Sequence, residues 1–495
     1  MQVIKVVGCP GSGKTTQIIK ALKGEPNPIA NIKPNDEVLF LSMTRSTVIK
    51  AHQEEVRAYT FREYFSKDIK IQDYAKLKNY LEAEFKIVLP DNIRDAVREN
   101  TYFRFLVQYF NSFVSLDVFL QRASYYKDID LDFLKRFIQA SEMFIRNVPV
   151  DKLFYRMVED IVPTKTVDWL VIDEAQDLTP IMWHLAFNKI NARKGAILIG
   201  DPNQAIFSSF GSDPKMFILF KHDKIVFFTK SYRVPNEVVR LSQQIINRNT
   251  VRISYDWTGT EGGEIKYFTS LKEIIPEIVS LEGDTFVIVN YSKAVVPLGL
   301  RFLNEGFVVK NGYGVPFYSK RLHSYLKYAK KVIYLEEMPW EAFTVFANSI
   351  DRVFFIKNRL DPEYYRELGK KILGKIPKAI VQKDPLFSFI RRVYKESGLE
   401  GLRLIGNRKI QSLWKKYKQV PLLIWQGSFN KVKGNVYVGV VHQFKGREAD
   451  NVVYVHSLGN KKNLTYLEEN RRMAFVAITR CKQRALIKAS IREIM

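Results

Sequence analysis

Two runs of residues at opposite ends of this 495-residue chain have the types and spacing for phosphate chemistry. The first is Gly8-Cys9-Pro10-Gly11-Ser12-Gly13-Lys14-Thr15, placed directly after the apolar run Val3-Ile4-Lys5-Val6-Val7. Glycines in a G-x-x-x-x-G-K-T spacing let backbone N–H groups close around phosphate oxygens. Lys14 can then reach the β- and γ-phosphates, and the Thr15 hydroxyl can ligate Mg²⁺. The second run is Val476-Ala477-Ile478-Thr479-Arg480, whose arginine can approach the same γ-phosphate from another part of the chain. Between them lies Trp169-Leu170-Val171-Ile172-Asp173-Glu174-Ala175-Gln176-Asp177, an apolar run that ends in two carboxylates. Asp173 is placed to hold a metal, directly or through water, and Glu174 to accept or orient the proton of an attacking water. Taken alone, Asp173-Glu174 also reads as an exposed acidic turn after a strand. The phosphate cradle and the carboxylates together point to an NTPase.

These groups need strands that end where the chemistry is done. Short apolar runs at 2–7, 37–42, 168–173, 195–200, 224–228, 285–290 and 435–441 read as strands, most of them followed by a polar or Gly-rich turn. Alternation of such runs with helical patterns predicts parallel sheets with crossover helices, and catalytic loops at the carboxyl ends of the strands. From 66 to 155 the character changes to Tyr/Phe-rich helical spacing, as in Phe103, Leu106, Val107, Phe110 and Phe133, Leu134, Phe137, Ile138. That segment reads as a helical insertion whose aromatics pack a core more than they stack bases. A second, basic insertion is expected over 320–434.

Composition narrows the partners. The formal net charge is +25, and residues 351–434 carry 20 Lys/Arg against 7 Asp/Glu. Such an excess predicts a polyanionic partner. Two cysteines, Cys9 and Cys481, exclude a disulfide framework and a zinc or iron–sulfur cluster. With no apolar run of bilayer length and no cleavable leader, the expectation is a soluble cytoplasmic protein without membrane contact.

The ordered series Gly8–Thr15, Asp173–Asp177, Gly200-Asp201-Pro202-Asn203-Gln204-Ala205-Ile206-Phe207, Ser231-Tyr232-Arg233, His442-Gln443-Phe444-Lys445-Gly446-Arg447-Glu448 and Val476–Arg480 resembles the motif set of superfamily 1 helicases, nearest the UvrD/Rep-like branch. The resemblance implies two RecA-like P-loop domains, each carrying a largely helical insertion. The first would comprise 1–65 and 156–230 with its insertion at 66–155. The second would comprise 231–319 and 435–495 with its insertion at 320–434. It further implies ATP and Mg²⁺ as cofactors, the metal held by Thr15 and Asp173. Lys14, Asp173, Glu174, Gln204, Arg233 and Arg480 would be catalytic. Gln204 would sense the γ-phosphate, and the two arginines would come from the second domain. Gly8, Pro10, Gly11, Ser12, Gly13, Lys14, Thr15, Thr16, Tyr232 and Glu448 would line the nucleotide, with Tyr232 on the adenine and Glu448 near the ribose.

By the same resemblance, Thr44, Arg45, Tyr59, Thr60, Phe61, Phe207, Phe210 and His442 would meet single-stranded DNA or single-strand/duplex junctions. Trp414 and Trp425, among Arg408, Lys409, Lys415, Lys416 and Lys418, are further stacking candidates. The implied activity is an ATP-dependent DNA helicase moving 3′→5′, as a monomer or weak oligomer. Two other readings stay open: a translocase that strips proteins from DNA without unwinding, and an NTP-gated nucleic-acid-binding protein. The chain also departs from the family pattern. Only seven residues precede the phosphate loop, which leaves no place for an adenine-reading glutamine and predicts relaxed NTP use. Ser209 and Phe210 stand where an aromatic and often an arginine are usual, and Val440 replaces a hydroxyl residue before His442. The end of the chain fifteen residues after Arg480 leads one to expect no appended nuclease domain.

Overall fold

The computed structural model describes all residues except 68–73, 127, 149, 151–154, 160–161, 306, 315–319, 340–345, 362, 365–374, 377, 418–420, 423–434 and 458–463. The chain divides into two compact units, one of Met1–Thr269 with Phe444–Met495, the other of Ser270–Gln443.

The first unit is built on six parallel strands: β1 (Gln2–Gly8), β2 (Val38–Ser42), β3 (Ala58–Thr60), β4 (Lys165–Asp173), β5 (Ile190–Gly200) and β6 (Lys224–Phe228). They lie in the order β3-β2-β4-β5-β1-β6. Parallel strands covered on both faces read as unbroken apolar runs. Val3, Ile4, Val6 and Val7 of β1 and Leu170, Val171 and Ile172 of β4 are all buried accordingly. Register brings the carboxyl ends level, with Ser42 beside Asp173 and Val7 beside Gly200. Helix α1 (Lys14–Leu22) follows β1, and helix α2 (Arg45–Gln53) follows β2 with Thr44 as its N-cap.

After β3 and a short helix, Phe61–Phe65, the described part of 66–155 is helical: Tyr74–Phe85, Ile93–Glu99, Thr101–Asn111, Leu116–Ala123 and Leu131–Asn147. Phe103, Leu106, Val107, Phe110, Leu134, Phe137 and Ile138 form a separate apolar core there, so the aromatic stripe is packing.

The first unit continues through β7 (Lys230–Pro235), which pairs with β8 (Thr258–Thr260), and through β9 (Glu264–Phe268). In the second unit, β14 (Val436–Val440) pairs in parallel with both β10 (Thr285–Val289) and β11 (Val309–Asn311). The strands β12 (Met338–Pro339) and β13 (Lys375–Ile376) make a two-residue antiparallel pair. Described helices of its basic stretch include Lys320–Ile333, Pro385–Ile405 and Arg408–Tyr417. The chain then returns to the first unit with β15 (Ala449–Val455), helix Leu464–Ile478 and β16 (Cys481–Lys488); β15, β16 and β9 are again parallel. The architecture is α/β, with the parallel sheets of two RecA-like P-loop domains. Among the described residues no helix is long and apolar enough to cross a membrane.

Candidate functional site

The phosphate loop leaves β1 at Gly8 and enters α1 through Gly13, whose φ of 78° only glycine adopts without strain. It is sewn to the segment carrying Arg233: Ser231 Oγ donates to Pro10 O at 2.6 Å, and Tyr232 N donates to Gly11 O at 3.0 Å. Gly11 has φ 75°, and a Cβ on it would stand 2.7 Å from Arg233 Cβ and 2.8 Å from Ser231 Oγ. The ammonium of Lys14 folds back onto Gly8 O and onto Cys9 O at 3.2 Å.

At the end of β4, Asp173 is 2% exposed. Its Oδ2 accepts from the hydroxyls of Thr15 (3.1 Å) and Thr47 (3.0 Å), and its Oδ1 from Glu174 N (3.0 Å). Burial, and then the charge of Glu174, pushes its carboxyl up to about 6. Glu174 has φ 56°, a left-handed turn that swings its side chain off the strand. Burial opposes its ionisation, but the charges of Lys445 and Lys14 outweigh that and hold it down at about 2. Lys445 Nζ lies 3.3 Å from Glu174 and also contacts Asp177, while donating to Gln204 O at 3.2 Å. Burial lifts Asp177 to about 7, against the charge of Lys445.

Gln204 and both arginines complete the wall. Arg480 Nη2 donates to Gln204 Oε1 at 2.8 Å, and its Nε donates to Val476 O at 2.8 Å. Gln204 Nε2 donates to Asp201 Oδ2 at 2.8 Å. Burial first, then the charge of Arg233, lowers Arg480 to about 9. Arg233 Nη1 stands 3.6 Å from Glu448, which Lys482 also meets at 2.7 Å. Tyr232 is 70% exposed, with Lys230 Nζ 5.6 Å from the ring centroid.

A cavity of about 630 Å³ in the first unit is lined by Pro10 to Thr16, Glu174, Gln204, Tyr232, Arg233, Glu448 and Arg480. The phosphate loop and the residues expected to act on a γ-phosphate therefore face one space. Ser12 Oγ and Arg233 Nε are buried there without a hydrogen-bond partner among the described residues. Buried orphaned donors cost stability unless a ligand satisfies them, so the cavity fits a polyphosphate. Among the described residues no three His, Cys, Asp or Glu cluster as a metal site. A hydroxyl and one carboxylate suit Mg²⁺, whose shell phosphate oxygens and water normally complete.

The strand-contact candidates are placed unevenly. Thr44 and Arg45 open α2, with Arg45 well exposed. Tyr59 lies on the edge strand β3, its ring 5.4 Å from the Arg57 guanidinium. Thr60 caps the next helix through a reciprocal pair with Glu63. Phe61 is 2% exposed and stacked on Phe65, so its ring supports the core instead of facing solvent. Phe207 and Phe210 are partly exposed, 6.3 Å apart, with Lys445 Nζ 5.6 Å from the Phe207 ring. His442 belongs to the second unit, in the turn after β14. Trp414 is 8% exposed, a packing residue; Trp425 and Lys418 lie outside the described residues. Three side chains that the fold brings to the site have no role in the sequence reading: Lys445, which stands within the run His442–Glu448, Thr47, and Lys50, whose Nζ donates to Thr16 Oγ1 at 2.7 Å. Lys445 carries the signal of that motif and Thr47 that of standing one helical turn after the cap position Thr44, while Lys50 carries none.

The fold and the site define a P-loop NTPase with RecA-like domains. A family model described as an AAA domain matches residues 1–210. Similar proteins include the ATP-dependent DNA helicase PcrA of Staphylococcus epidermidis, 26% identical over 111 residues, 21% of this chain and 15% of that protein. The putative ATP-dependent DNA helicase YjcD of Bacillus subtilis is 25% identical over 88 residues, covering 17% of this chain and 12% of YjcD. The ATP-dependent DNA helicase Rep of Buchnera aphidicola is 28% identical over 89 residues, 17% of this chain and 14% of Rep. The matches thus span under a sixth of each relative's length. With its motif order, the chain is similar to the UvrD/Rep-like branch of superfamily 1.

Proposed function

We propose that the protein is a DNA-stimulated ATPase that moves 3′→5′ on single-stranded DNA and unwinds duplex at single-strand/duplex junctions. The observation that carries the reading is the single cavity onto which Lys14, Glu174, Gln204, Arg233 and Arg480 converge. A mere nucleotide-gated binder has no need of a carboxylate poised for water and two arginines beside it. The similarity to proteins named as DNA helicases and the +25 charge support DNA as the polyanion.

In this reading the loop amides and Lys14 bind the β- and γ-phosphates. Thr15 and Asp173 would hold Mg²⁺, which supplies charge neutralisation at those phosphates when bound. Glu174, kept ionised beside Lys445, accepts the proton of the attacking water. Arg233 and Arg480 stabilise charge on the transferring group, a contribution on the order of 10³–10⁵ in rate for an arginine finger. Gln204, bonded to Arg480 and carried on the same segment as Phe207, ties the γ-phosphate to the strand contacts. Tyr232 packs on the base and Glu448 reaches the ribose.

The test is the ATPase rate with and without single-stranded DNA across about 50–200 mM salt, followed by strand release from a forked duplex. Strong stimulation that decays with salt is expected. A rate indifferent to DNA would defeat the motor reading. Stimulated hydrolysis with no strand release would reduce it to translocation alone.

A further inference from the structure

A line of hydroxyl groups runs from the first turn of α2 to the carboxylate expected to hold the metal. Ser46 Oγ donates to Thr44 Oγ1 at 3.3 Å, Thr44 Oγ1 donates to Thr47 Oγ1 at 3.0 Å, and Thr47 Oγ1 donates to Asp173 Oδ2 at 3.0 Å. The line is anchored at Thr44. Thr44 N donates to Ser42 Oγ at 3.1 Å, at the end of β2, and Thr44 Oγ1 accepts from Thr47 N at 3.4 Å. Thr47 is 8% exposed and Asp173 2%, so water competes little for these bonds. Every donor points the same way, toward the carboxylate, and such a chain polarises cooperatively.

We infer that Thr47 is a positioning residue for the metal carboxylate, and that it makes the hold of Asp173 on Mg²⁺ depend on what occupies the Thr44–Arg45 end of α2. The inference rests on the metal and strand roles proposed above. Asp173 Oδ2 has two hydroxyl donors, Thr15 and Thr47. Thr15 is the hydroxyl that turns to a metal, which leaves Thr47 to fix the carboxylate's rotation. Partners of this kind orient a ligand oxygen, and their loss typically weakens metal binding about 10–100-fold. At the other end, the partly buried Thr44 and the exposed Arg45 form the start of the same helical turn. The run after Phe444 leans on that turn, for a Cβ on Gly446 would come within 2.9 Å of Ser46 Oγ. A phosphate docking on Thr44 and Arg45 fixes the turn, and Thr47 passes that order to Asp173.

The experiment uses the full chain with mant-ADP as probe, titrated with Mg²⁺ in the absence and presence of a short oligo-dT. The variants are Thr47→Val, which keeps the shape without the hydroxyl, and Thr47→Ser, which keeps the hydroxyl. Expected for T47V is a Mg²⁺ midpoint raised about tenfold or more, with metal-free mant-ADP affinity unchanged. Oligo-dT is expected to lower the midpoint in the wild type and in T47S but to leave that of T47V where it was. A purely structural role would move the melting temperature and the metal-free affinity together, and that result would overturn the inference. So would a T47V midpoint equal to the wild type, or one raised but still lowered by oligo-dT to the wild-type extent. Should the wild type fail to bind oligo-dT, the motor reading and the link to the strand both fall, while the Mg²⁺ titration alone still decides whether Thr47 orients Asp173.

Discussion

Lys445 sits where two side chains would otherwise conflict. Two carboxylates, Asp177 and Glu174, meet its ammonium, and burial makes each of them costly to ionise alone. Removing one partner of a buried ion pair leaves the other charge uncompensated, at a cost of about 3–5 kcal/mol. Lys445→Met is therefore expected to destabilise the first unit by about that much in urea unfolding. It should also move the acid limb of the pH–rate profile upward. The sign follows from Glu174: with Lys445 present its carboxyl is held at about 2, and without that charge burial raises it, so the base protonates at higher pH. Glu174→Gln is expected to abolish turnover while mant-ADP still binds. Unchanged turnover in a steady-state ATPase assay would remove Glu174 from its assigned role.

At the scale of elements, the seam between the phosphate loop and β7 sets how Arg233 is aimed. Gly11→Ala forces a Cβ into Arg233 and Ser231 at a backbone angle unfavourable to alanine. With about 1–3 kcal/mol of strain, mant-ADP affinity should fall roughly tenfold or more. Lys5 plays a quieter part inside β1. Its ammonium is buried and donates to Ile218 O and Phe220 O, each at 3.0 Å, where helix Pro214–Leu219 ends. Lys5→Met strips both carbonyls of that partner and should cost about 2 kcal/mol in a denaturation experiment.

Lys5 also marks the limit of what patterning reveals. The sequence run Val3–Val7 reads as a strand whichever way Lys5 points, and nothing local says that its charge caps a helix more than 200 residues on. The strands carrying Gly8, Asp173 and Gly200 were legible because strands buried on both faces are continuous apolar runs. Edge strand β3, three residues long, and β16, with Lys482, Gln483 and Arg484 at its start, lack that signature. That Gly8–Thr15 forms a loop between β1 and α1 was legible because a phosphate loop has a fixed local spacing. The contacts of Lys445 and Thr47 were not, since their partners at 174, 177 and 173 are neighbours only in the folded chain.

For the molecule as a whole, one contribution to the pH dependence of the fold comes from His456 at the end of β15. The ring is fully buried, and burial, then the charge of Lys488, lowers its pKa to about 4. Between that value and about 6.5 the unfolded chain binds a proton that the folded one refuses, so stability rises with pH across this window. The full loss on acidification is about 3 kcal/mol for this group. Asp173 and Asp177, raised by burial, contribute in the opposite sense, so the His456 contribution is read as a difference: the melting temperature of His456→Gln minus that of the wild type should grow as pH falls from 7 to 4.

The cavity proposed for the nucleotide is lined by residues from both extremities of the first unit: Lys14 near one end of the chain, Glu448 and Arg480 near the other. Synthesis proceeds from the first toward the second, at about 5–20 residues per second. A ribosome therefore makes the phosphate loop roughly 20–90 s before it makes Arg480. Through that interval the nascent chain has the phosphate loop but lacks the arginine assigned to cleavage, so the proposed ATPase site is complete only when the last strand of the first unit is in reach.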